Sequence, residues 1–199
     1  PHLLFGVTGS GKTEIYLRAV AWCLRHKRTA LILVPEIALA TQVVRRFVDR
    51  FPGRVDVLHS QKTDSQRYDL WRRIASSEVD VVVGPRSALF APLANLGLIV
   101  IDEEHDSSFK QDDDPRYHAR AVAIRLAAIT NSVLVMGSAT PAVESMWNAR
   151  NGNYRLLELP GRVSPTLTGG ESVNLPEVRV VDLRAELRAD NADLLSREL

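Results

Sequence analysis

Short apolar runs alternate along the chain with longer stretches of mixed polarity. Runs rich in Val, Ile and Leu predict buried strands at residues 3–5, 30–34, 55–58, 79–83, 98–101 and 133–136. The stretches between them predict helices at residues 13–26, 38–50, 64–76, 118–130 and 141–149. Strands that alternate with helices, and that are nearly continuous runs of Val, Ile and Leu, indicate an α/β fold with a mostly parallel sheet and helices on both faces. Ligands of such sheets bind at the carboxyl ends of the strands.

The pattern weakens after residue 159. A Pro-Gly pair at 160–161 and the stretch 164–172 are typical of a linker, while residues 178–183 and 192–199 predict one more strand and the start of a helix. One strand and part of a helix cannot enclose a core. We therefore expect one domain at residues 1–160, and in residues 161–199 a linker and the opening of a second domain, so that the chain is a piece of a longer protein.

A phosphate-binding loop follows the first predicted strand and opens the first predicted helix. Its G-x-x-x-x-G-K-[ST] pattern is formed by Gly6, Val7, Thr8, Gly9, Ser10, Gly11, Lys12 and Thr13. Glycines let backbone N–H groups converge on phosphate oxygens, and the helix N-terminus favours an anion. Lys12 is expected to reach the terminal phosphates of ATP and Thr13 to hold Mg²⁺. The alternative, a glycine turn with a structural role only, is weaker in this strand–loop–helix context.

An acidic segment, Asp102-Glu103-Glu104-His105, directly follows the predicted strand at 98–101. A carboxylate at a strand end beside a phosphate loop is placed to bind Mg²⁺, and we assign this role to Asp102. Neighbouring carboxylates point in different directions, so Glu103 is the candidate that orients or deprotonates the attacking water. We expect Lys12, Asp102 and Glu103 to be the catalytic residues. Alone, the segment could equally be a solvated acidic turn.

A third motif, Gly137-Ser138-Ala139-Thr140-Pro141, follows the predicted strand at 133–136. The hydroxyls of Ser138 and Thr140 can hydrogen-bond neighbouring loops, including the acidic one. A hydroxyl residue before proline is also an ordinary helix N-cap, so the motif is weak by itself.

The composition excludes some classes of protein but does not identify a binding partner. Net charge is +1, so any contact with nucleic acid must come from a local patch. No apolar run is long enough to span a bilayer, and we expect no membrane contact. The single cysteine, Cys23, excludes an internal disulfide and fits a reducing cytosol. No Cys/His cluster occurs, so zinc is not implied in this chain.

Taken together, the motifs G-V-T-G-S-G-K-T, V-P-E-I-A-L (34–39), D-E-E-H and G-S-A-T resemble the first motor lobe of superfamily 2 helicases, a RecA-like lobe. The segments V-G-P-R-S-A-L-F (83–90), D-E-E-H-D-S-S-F-K-Q (102–111) and P-R-Y-H-A-R (115–120) narrow the resemblance to the bacterial primosomal helicases that restart stalled replication forks. The resemblance covers about residues 3–159. Pro85 stands where that family's motif has Thr, which puts a DNA contact of this residue in doubt.

The resemblance implies further roles. Pro35, Glu36, Arg86 and Ser87 would lie on the DNA side, with Arg86 on a backbone phosphate and Glu36 capping the following helix or orienting a neighbour. Alternatively, Arg86 is an ordinary surface charge. Residues 106–118 would form the loop that couples DNA contact to hydrolysis. In that loop Phe109 could stack on an unpaired base and Lys110 meet a phosphate, or Phe109 could simply anchor the loop to the core. His105 would relay to the DNA side.

The resemblance also implies single-stranded and forked DNA as partners, 3′-to-5′ translocation, primosome proteins and the replicative helicase, and a cytoplasmic bacterial location. It implies a zinc module elsewhere in the longer protein. Two other functions stay open from the residues alone: a different phosphate-loop NTPase such as a small-molecule kinase, and a nucleotide-dependent binding module. A kinase would need an acceptor site and a lid, and neither is evident. A binding module would not need intact catalytic carboxylates.

Overall fold

A seven-stranded sheet, parallel throughout, is the frame of the molecule. The computed structural model describes residues 1–35, 42–59, 62–163, 172–173 and 181–184. In chain order the strands are β1 (His2–Gly6), β2 (Thr29–Leu33), β3 (Val55–Val57), β4 (Val81–Gly84), β5 (Leu96–Asp102), β6 (Lys110–Gln111), β7 (Tyr117–His118), β8 (Val133–Ser138), β9 (Arg155–Leu159), β10 (Arg162–Val163) and β11 (Ser172–Val173). The large sheet has the order β3-β4-β2-β5-β8-β1-β9, and β6–β7 and β10–β11 form two small antiparallel pairs.

Helices connect the strands of the large sheet. They are α1 (Lys12–Arg25), α2 (Gln42–Arg50), α3 (Asp64–Ala75), α4 (Ala119–Thr130) and α5 (Val143–Arg150), with short 3-10 helices at Arg86–Phe90 and Ser107–Phe109. Local sequence explains their ends: Thr63 and Gln66 form a reciprocal capping box at the start of α3. Asn131 ends α4 in the left-handed conformation that asparagine tolerates.

The sheet separates two hydrophobic cores. Successive side chains of a strand point to opposite faces: in β2, Leu31 and Leu33 join one core while Ala30 and Ile32 join the other. The first core includes apolar residues of α3, α4 and α5, and the second those of α1 and α2. Helices therefore cover both faces, as predicted, and the central strands are buried on both sides.

The strands and helices predicted before residue 160 are confirmed where the structure describes them, with ends that shift by a few residues. Strand β9 was not predicted; it is an edge strand beside β1, and its charged Arg155 and Glu158 interrupt the apolar run. The first residues of the predicted helix 38–50 and the helix at 192–199 lie outside the described residues. So do residues 178–180 of the predicted strand 178–183, whereas residues 181–183 are not in a strand. In the predicted linker, 164–171 lie outside the described residues and Ser172 begins β11.

The carboxyl ends of β1, β5 and β8 meet at one edge of the sheet, with β8 between the other two. Gly6 ends β1, Asp102 ends β5 and Ser138 ends β8. In the β5–β8 register Asp102 stands opposite Gly137. The fold thus brings the phosphate loop, the acidic segment and the G-S-A-T motif to one edge.

Candidate active site

The phosphate loop turns sharply between β1 and α1. Gly9 and Gly11 have φ angles of 83° and 91°, in the left-handed region that favours glycine. Helix α1 begins at Lys12, immediately after Gly11, so the N–H groups of its first turn face the loop. The backbone therefore forms a concave surface of donors that suits an anion.

Lys12 lies inside this loop with only 8% of its surface exposed. Its ammonium donates to the Gly6 carbonyl at 2.8 Å and lies 4.0 Å from a carboxylate oxygen of Glu103. Ser10 is also buried, and its hydroxyl has no hydrogen-bond partner among the described residues. Buried polar groups are normally paired. A buried ammonium and an orphaned hydroxyl fit a site that binds phosphate oxygens.

A cleft of about 550 Å³ opens above the loop. It is lined by the loop residues Thr8, Gly9, Ser10, Gly11, Lys12 and Thr13, by Glu14, by Gln42, Val43 and Arg46 of α2, by Asp102 and Glu103, and by Val163. One cavity thus contains the predicted nucleotide-binding residues other than Gly6. It also contains the predicted metal-binding pair Thr13 and Asp102 and the predicted catalytic residues. Oxygen ligands such as the Thr13 hydroxyl and a carboxylate suit Mg²⁺.

Asp102 ends β5 almost fully buried. One of its oxygens, Oδ1, accepts a hydrogen bond of 3.0 Å from the hydroxyl of Tyr16. Burial, and next the neighbouring Glu103, raise the pKa of Asp102, while the Tyr16 hydrogen bond and Lys12 oppose that rise. Burial, followed by the Asp102 charge, raises the pKa of Tyr16 well above its ordinary value, so the phenol stays a donor. Sequence reasoning missed Tyr16.

Glu103 occupies a strained turn. Its φ angle is +48°, a conformation that costs an L-residue about 1–2 kcal/mol. The turn directs its carboxylate toward the cleft, where its oxygens lie 4.0 Å from the Lys12 ammonium and 3.7 Å from the His105 ring. Backbone strain of this kind is often found at functional sites.

Glu104 points away from the cleft into the protein, and its role was not predicted. It is 1% exposed and accepts hydrogen bonds from Arg120 (2.9 Å), Ser145 (2.8 Å) and the backbone N–H of Ala142 (2.7 Å). These bonds join the acidic segment to α4 and to the start of α5. The donors lie 16 to 41 residues away along the chain, so no local pattern could have revealed them.

His105 connects the acidic segment to the G-S-A-T motif. Its Nδ1 lies 2.8 Å from the Ser138 hydroxyl, and its Nε2 lies 3.4 Å from the Thr140 hydroxyl. The Ser138 hydroxyl also accepts the backbone N–H of Thr140 at 2.9 Å. The structure therefore brings together Glu103, His105, Ser138 and Thr140, the contact between loops that the motifs suggested.

The loop after the acidic segment differs from its prediction in two respects. Phe109 is 1% exposed and packs in the core, so its ring has no face free to stack on a base; the alternative of an anchor is the one the structure supports. Arg86 is half-buried and donates to the backbone carbonyls of Ser108 and Lys110. In this conformation its guanidinium holds the loop, where a phosphate contact was expected.

The remaining predicted DNA-side residues lie apart from the cleft. Lys110 is exposed and pairs with Asp112 at 2.9 Å, Ser87 is exposed, and Pro35 is buried. Glu36 lies outside the described residues. A second cleft of about 450 Å³ opens here, lined by Leu58, His59, Arg67, Trp71, Pro85, Arg86, Ser87, Phe90, Ser108, Gln111 and Tyr117. Its aromatic and basic side chains are those that suit nucleic acid.

The part of the chain that the structure describes has neither a metal-binding cluster nor a membrane-spanning helix. In residues 1–35, 42–59, 62–163, 172–173 and 181–184, no three His, Cys, Asp or Glu side chains gather as a metal-binding group. None of the helices described there has the length and apolar character needed to cross a bilayer.

Comparison with known proteins identifies the family. The model of the DEAD/DEAH box helicases matches residues 3–147, most of the chain. The chain belongs to the DEAD/DEAH box helicase family. Its relatives include the replication restart protein PriA of Bacillus subtilis (strain 168), 50% identical over 197 residues, which covers 99% of this chain and 24% of the relative. PriA of Haemophilus influenzae is 54% identical over 160 residues, 80% of this chain and 22% of the relative.

These matches confirm the predicted resemblance to primosomal helicases. The chain spans about a quarter of the length of the curated relatives it matches, 24% for the Bacillus subtilis protein. Among solved structures, RecG bound to a three-way DNA junction is similar, with a TM-score of 0.59 and 26% identity over 84% of this chain and 21% of that one. The Hef helicase domain of Pyrococcus furiosus shares the fold, with a TM-score of 0.55 and 20% identity over 79% of this chain and 35% of that one.

Proposed function

We propose that this chain is the ATP-binding lobe of an ATP-dependent DNA helicase that acts in bacterial replication restart. The observation that carries the proposal is the convergence of Lys12, Asp102 and Glu103 on one cleft beside the phosphate loop. The PriA relatives, similar across nearly the whole chain, support the assignment to replication restart.

In this proposal the loop residues Gly6 to Thr13 bind the phosphates of ATP, and Thr13 and Asp102 hold Mg²⁺. When bound there, Mg²⁺ would supply positive charge next to the transferring phosphate. Lys12, which donates to the Gly6 carbonyl in this structure, exchanges that bond for a phosphate oxygen. Glu103 accepts the proton of the attacking water, as a partly exposed carboxylate at the cleft can.

Coupling to DNA follows the contacts that lead away from Glu103. His105 lies between Glu103 and the hydroxyls of Ser138 and Thr140. The same segment continues into residues 107–110, where Arg86 donates to the carbonyl of Ser108. A single strand lying in the second cleft would contact Arg86, Ser87 and Ser108. Such contacts would move this segment, and with it Glu103.

The longer protein would act on single-stranded and forked DNA, translocate 3′ to 5′, and work with primosome proteins and the replicative helicase in the bacterial cytoplasm. RecG, a similar protein, is described as bound to a three-way DNA junction, which supports a forked substrate. The same proposal includes a zinc module elsewhere in the longer protein. It also includes a domain boundary at residue 160 of this chain.

The test uses Glu103→Gln in the full-length protein, with Glu144→Gln as the control because Glu144 is an exposed glutamate on α5. Glu103→Gln should retain binding of a fluorescent ATP analogue but lose ATP hydrolysis and unwinding of a forked duplex, since an amide cannot take the proton. Lys12→Ala should abolish hydrolysis as well. Normal ATP turnover by Glu103→Gln would exclude Glu103 as the base, and ATPase without DNA stimulation or unwinding would favour a different phosphate-loop NTPase.

A further inference from the structure

Tyr16 makes a contact that the mechanism above does not use. Its side chain is 1% exposed, although phenols usually keep the hydroxyl near water, and its hydroxyl donates to Oδ1 of Asp102 at 3.0 Å. We propose that Tyr16 is a positioning residue that fixes the carboxylate of Asp102 for the metal ion. The inference rests on the proposed function, because it assigns Asp102 to a divalent cation held with a nucleotide.

The position of Tyr16 along α1 allows it to hold the carboxylate of Asp102. Tyr16 lies three residues after Thr13, so the two side chains stand on the same face of the helix, one turn apart. The helix that begins with the phosphate loop therefore also holds the carboxylate at the end of β5. Thr13, the other predicted metal ligand, and the support of Asp102 move together as one rigid element.

Gly137 lies close to the Tyr16 hydroxyl. It stands opposite Asp102 in the β5–β8 register, and a Cβ added to it would lie 1.6 Å from the Tyr16 hydroxyl. No side chain fits there while the hydroxyl keeps its place. The glycine of the G-S-A-T motif thus leaves room for the phenol, which is packed between β8 and Asp102 and has little freedom to turn.

A hydrogen bond to one oxygen of a metal-binding carboxylate fixes its orientation, and the loss of such a bond typically lowers metal affinity about 10- to 100-fold. We therefore expect Tyr16→Phe to weaken Mg²⁺ binding while it leaves the phosphate loop intact. Binding of nucleotide without metal should change little, because Lys12 and the loop backbone do not depend on the phenol.

The first measurement titrates Mg²⁺ into the full-length protein with a fluorescent ATP analogue, for wild type, Tyr16→Phe and Tyr154→Phe. Tyr154 is the matched control: it is half-buried in the same domain and directly precedes β9, at the end of the sheet opposite the site. The Mg²⁺ concentration for half-maximal binding should rise about 10-fold or more in Tyr16→Phe only. An unchanged Mg²⁺ requirement in Tyr16→Phe would overturn the inference while the proposed function stands. Failure of the wild type to bind nucleotide would overturn both.

The second measurement is a double-mutant cycle that combines Tyr16→Phe with Gly137→Ala. Without the hydroxyl, the nearest ring atom to the added Cβ is Cζ at 2.9 Å, which a small shift can relieve. Gly137→Ala should therefore weaken Mg²⁺ binding strongly in the wild-type background and much less in the Tyr16→Phe background. If Gly137→Ala alone destabilises the protein too much for Mg²⁺ binding to be measured, the cycle uses the thermal unfolding midpoint of each variant instead. Adding Tyr16→Phe to Gly137→Ala should then raise the midpoint again. Equal damage in both backgrounds would show that the hydroxyl and Gly137 are not coupled.

Discussion

Asp102 and Glu104 are both buried carboxylates, separated by a single residue, and their surroundings give them different roles. Glu104 is fully paired with Arg120, Ser145 and a backbone N–H, so its charge is compensated within the protein. Asp102 accepts the hydrogen bond of the Tyr16 phenol and lies beside the cleft, where burial raises its pKa. The left-handed turn at Glu103 sends the two side chains to opposite sides. The incompletely compensated carboxylate is the one suited to hold a cation.

Phe109→Ala should destabilise the protein. The ring is 1% exposed in the core beside α4, and removing a buried phenylalanine typically costs about 3–5 kcal/mol in the free energy of unfolding. Phe90→Ala is the control, since Phe90 is 51% exposed and should cost about 1 kcal/mol or less. Urea unfolding of both variants measures the difference. A Phe109→Ala protein of normal stability with reduced DNA affinity would restore the stacking role.

Cys23 offers a second residue-level test, because it is the chain's one cysteine. It is 3% exposed on α1, and burial raises the pKa of its thiol, opposed by Arg28. The thiolate is the reactive form, so a raised pKa leaves less of it at any given pH. The native chain should therefore react slowly with a disulfide reagent at pH 8, and the rate should rise only at higher pH than for a free thiol. The same reaction in urea is the control; equal rates with and without urea would contradict the buried position.

At the scale of elements, the loops after β5 and β8 form one unit. Glu104 donates its backbone N–H to the Gly137 carbonyl at 3.0 Å, and its carboxylate accepts the N–H of Ala142 just before α5. His105 adds the contact to Ser138. A carboxylate at a helix N-terminus is favoured by the helix dipole. Any shift of the acidic segment must therefore displace the G-S-A-T motif and the start of α5 together.

Glu104→Ala should break this unit. Removing one partner of a buried ion pair typically costs about 3–5 kcal/mol, because Arg120 and the N–H of Ala142 lose their acceptor. Glu144→Ala is the matched control: its carboxylate is 72% exposed and 3.7 Å from the same Arg120, so the loss should be about 1 kcal/mol or less. Chemical unfolding compares the two variants. Equal losses would show that Glu104 is not the joint between the loops.

In the molecule as a whole, the cleft above the phosphate loop lies at the carboxyl ends of β1 and β5. Its far wall includes Val163, which follows β9 and donates its backbone N–H to the Gly9 carbonyl of the phosphate loop at 3.0 Å. The segment that leaves the predicted lobe thus contacts the loop itself. Motor sites of the kind proposed here are completed by a second lobe that supplies arginines to the transferring phosphate.

This chain alone should therefore bind Mg·ATP weakly and hydrolyse it slowly, with no stimulation by single-stranded DNA. Arginines supplied to such a site raise turnover by roughly 10³- to 10⁵-fold, so the full-length protein should be faster by a factor in that range. Steady-state ATPase of both proteins, with and without saturating DNA, makes the comparison. Rapid DNA-stimulated turnover by residues 1–199 would show that the site is complete within this chain.

The pattern of apolar and mixed segments was sufficient to predict most of the large sheet and the phosphate loop. Nearly continuous Val, Ile and Leu runs identified six of the seven strands of the large sheet, because a strand buried on both faces is apolar at most positions. The phosphate loop was recognisable since its glycines and Lys12 act within one short segment. Strand β9 of that sheet was missed, because Arg155 and Glu158 interrupt its apolar run.

Contacts between residues far apart in the chain became known only from the folded structure. The sequence could place Phe109 on a base or in the core, and only the folded structure showed its side chain buried in the core. Tyr16 reads as one more apolar position of a helix, yet it donates to Asp102, 86 residues away, in space left by Gly137. The spacing of apolar residues along the chain indicates which face of its own helix or strand a side chain lies on. Which partner it meets depends on the order of strands in the sheet, and that order is a property of the whole fold.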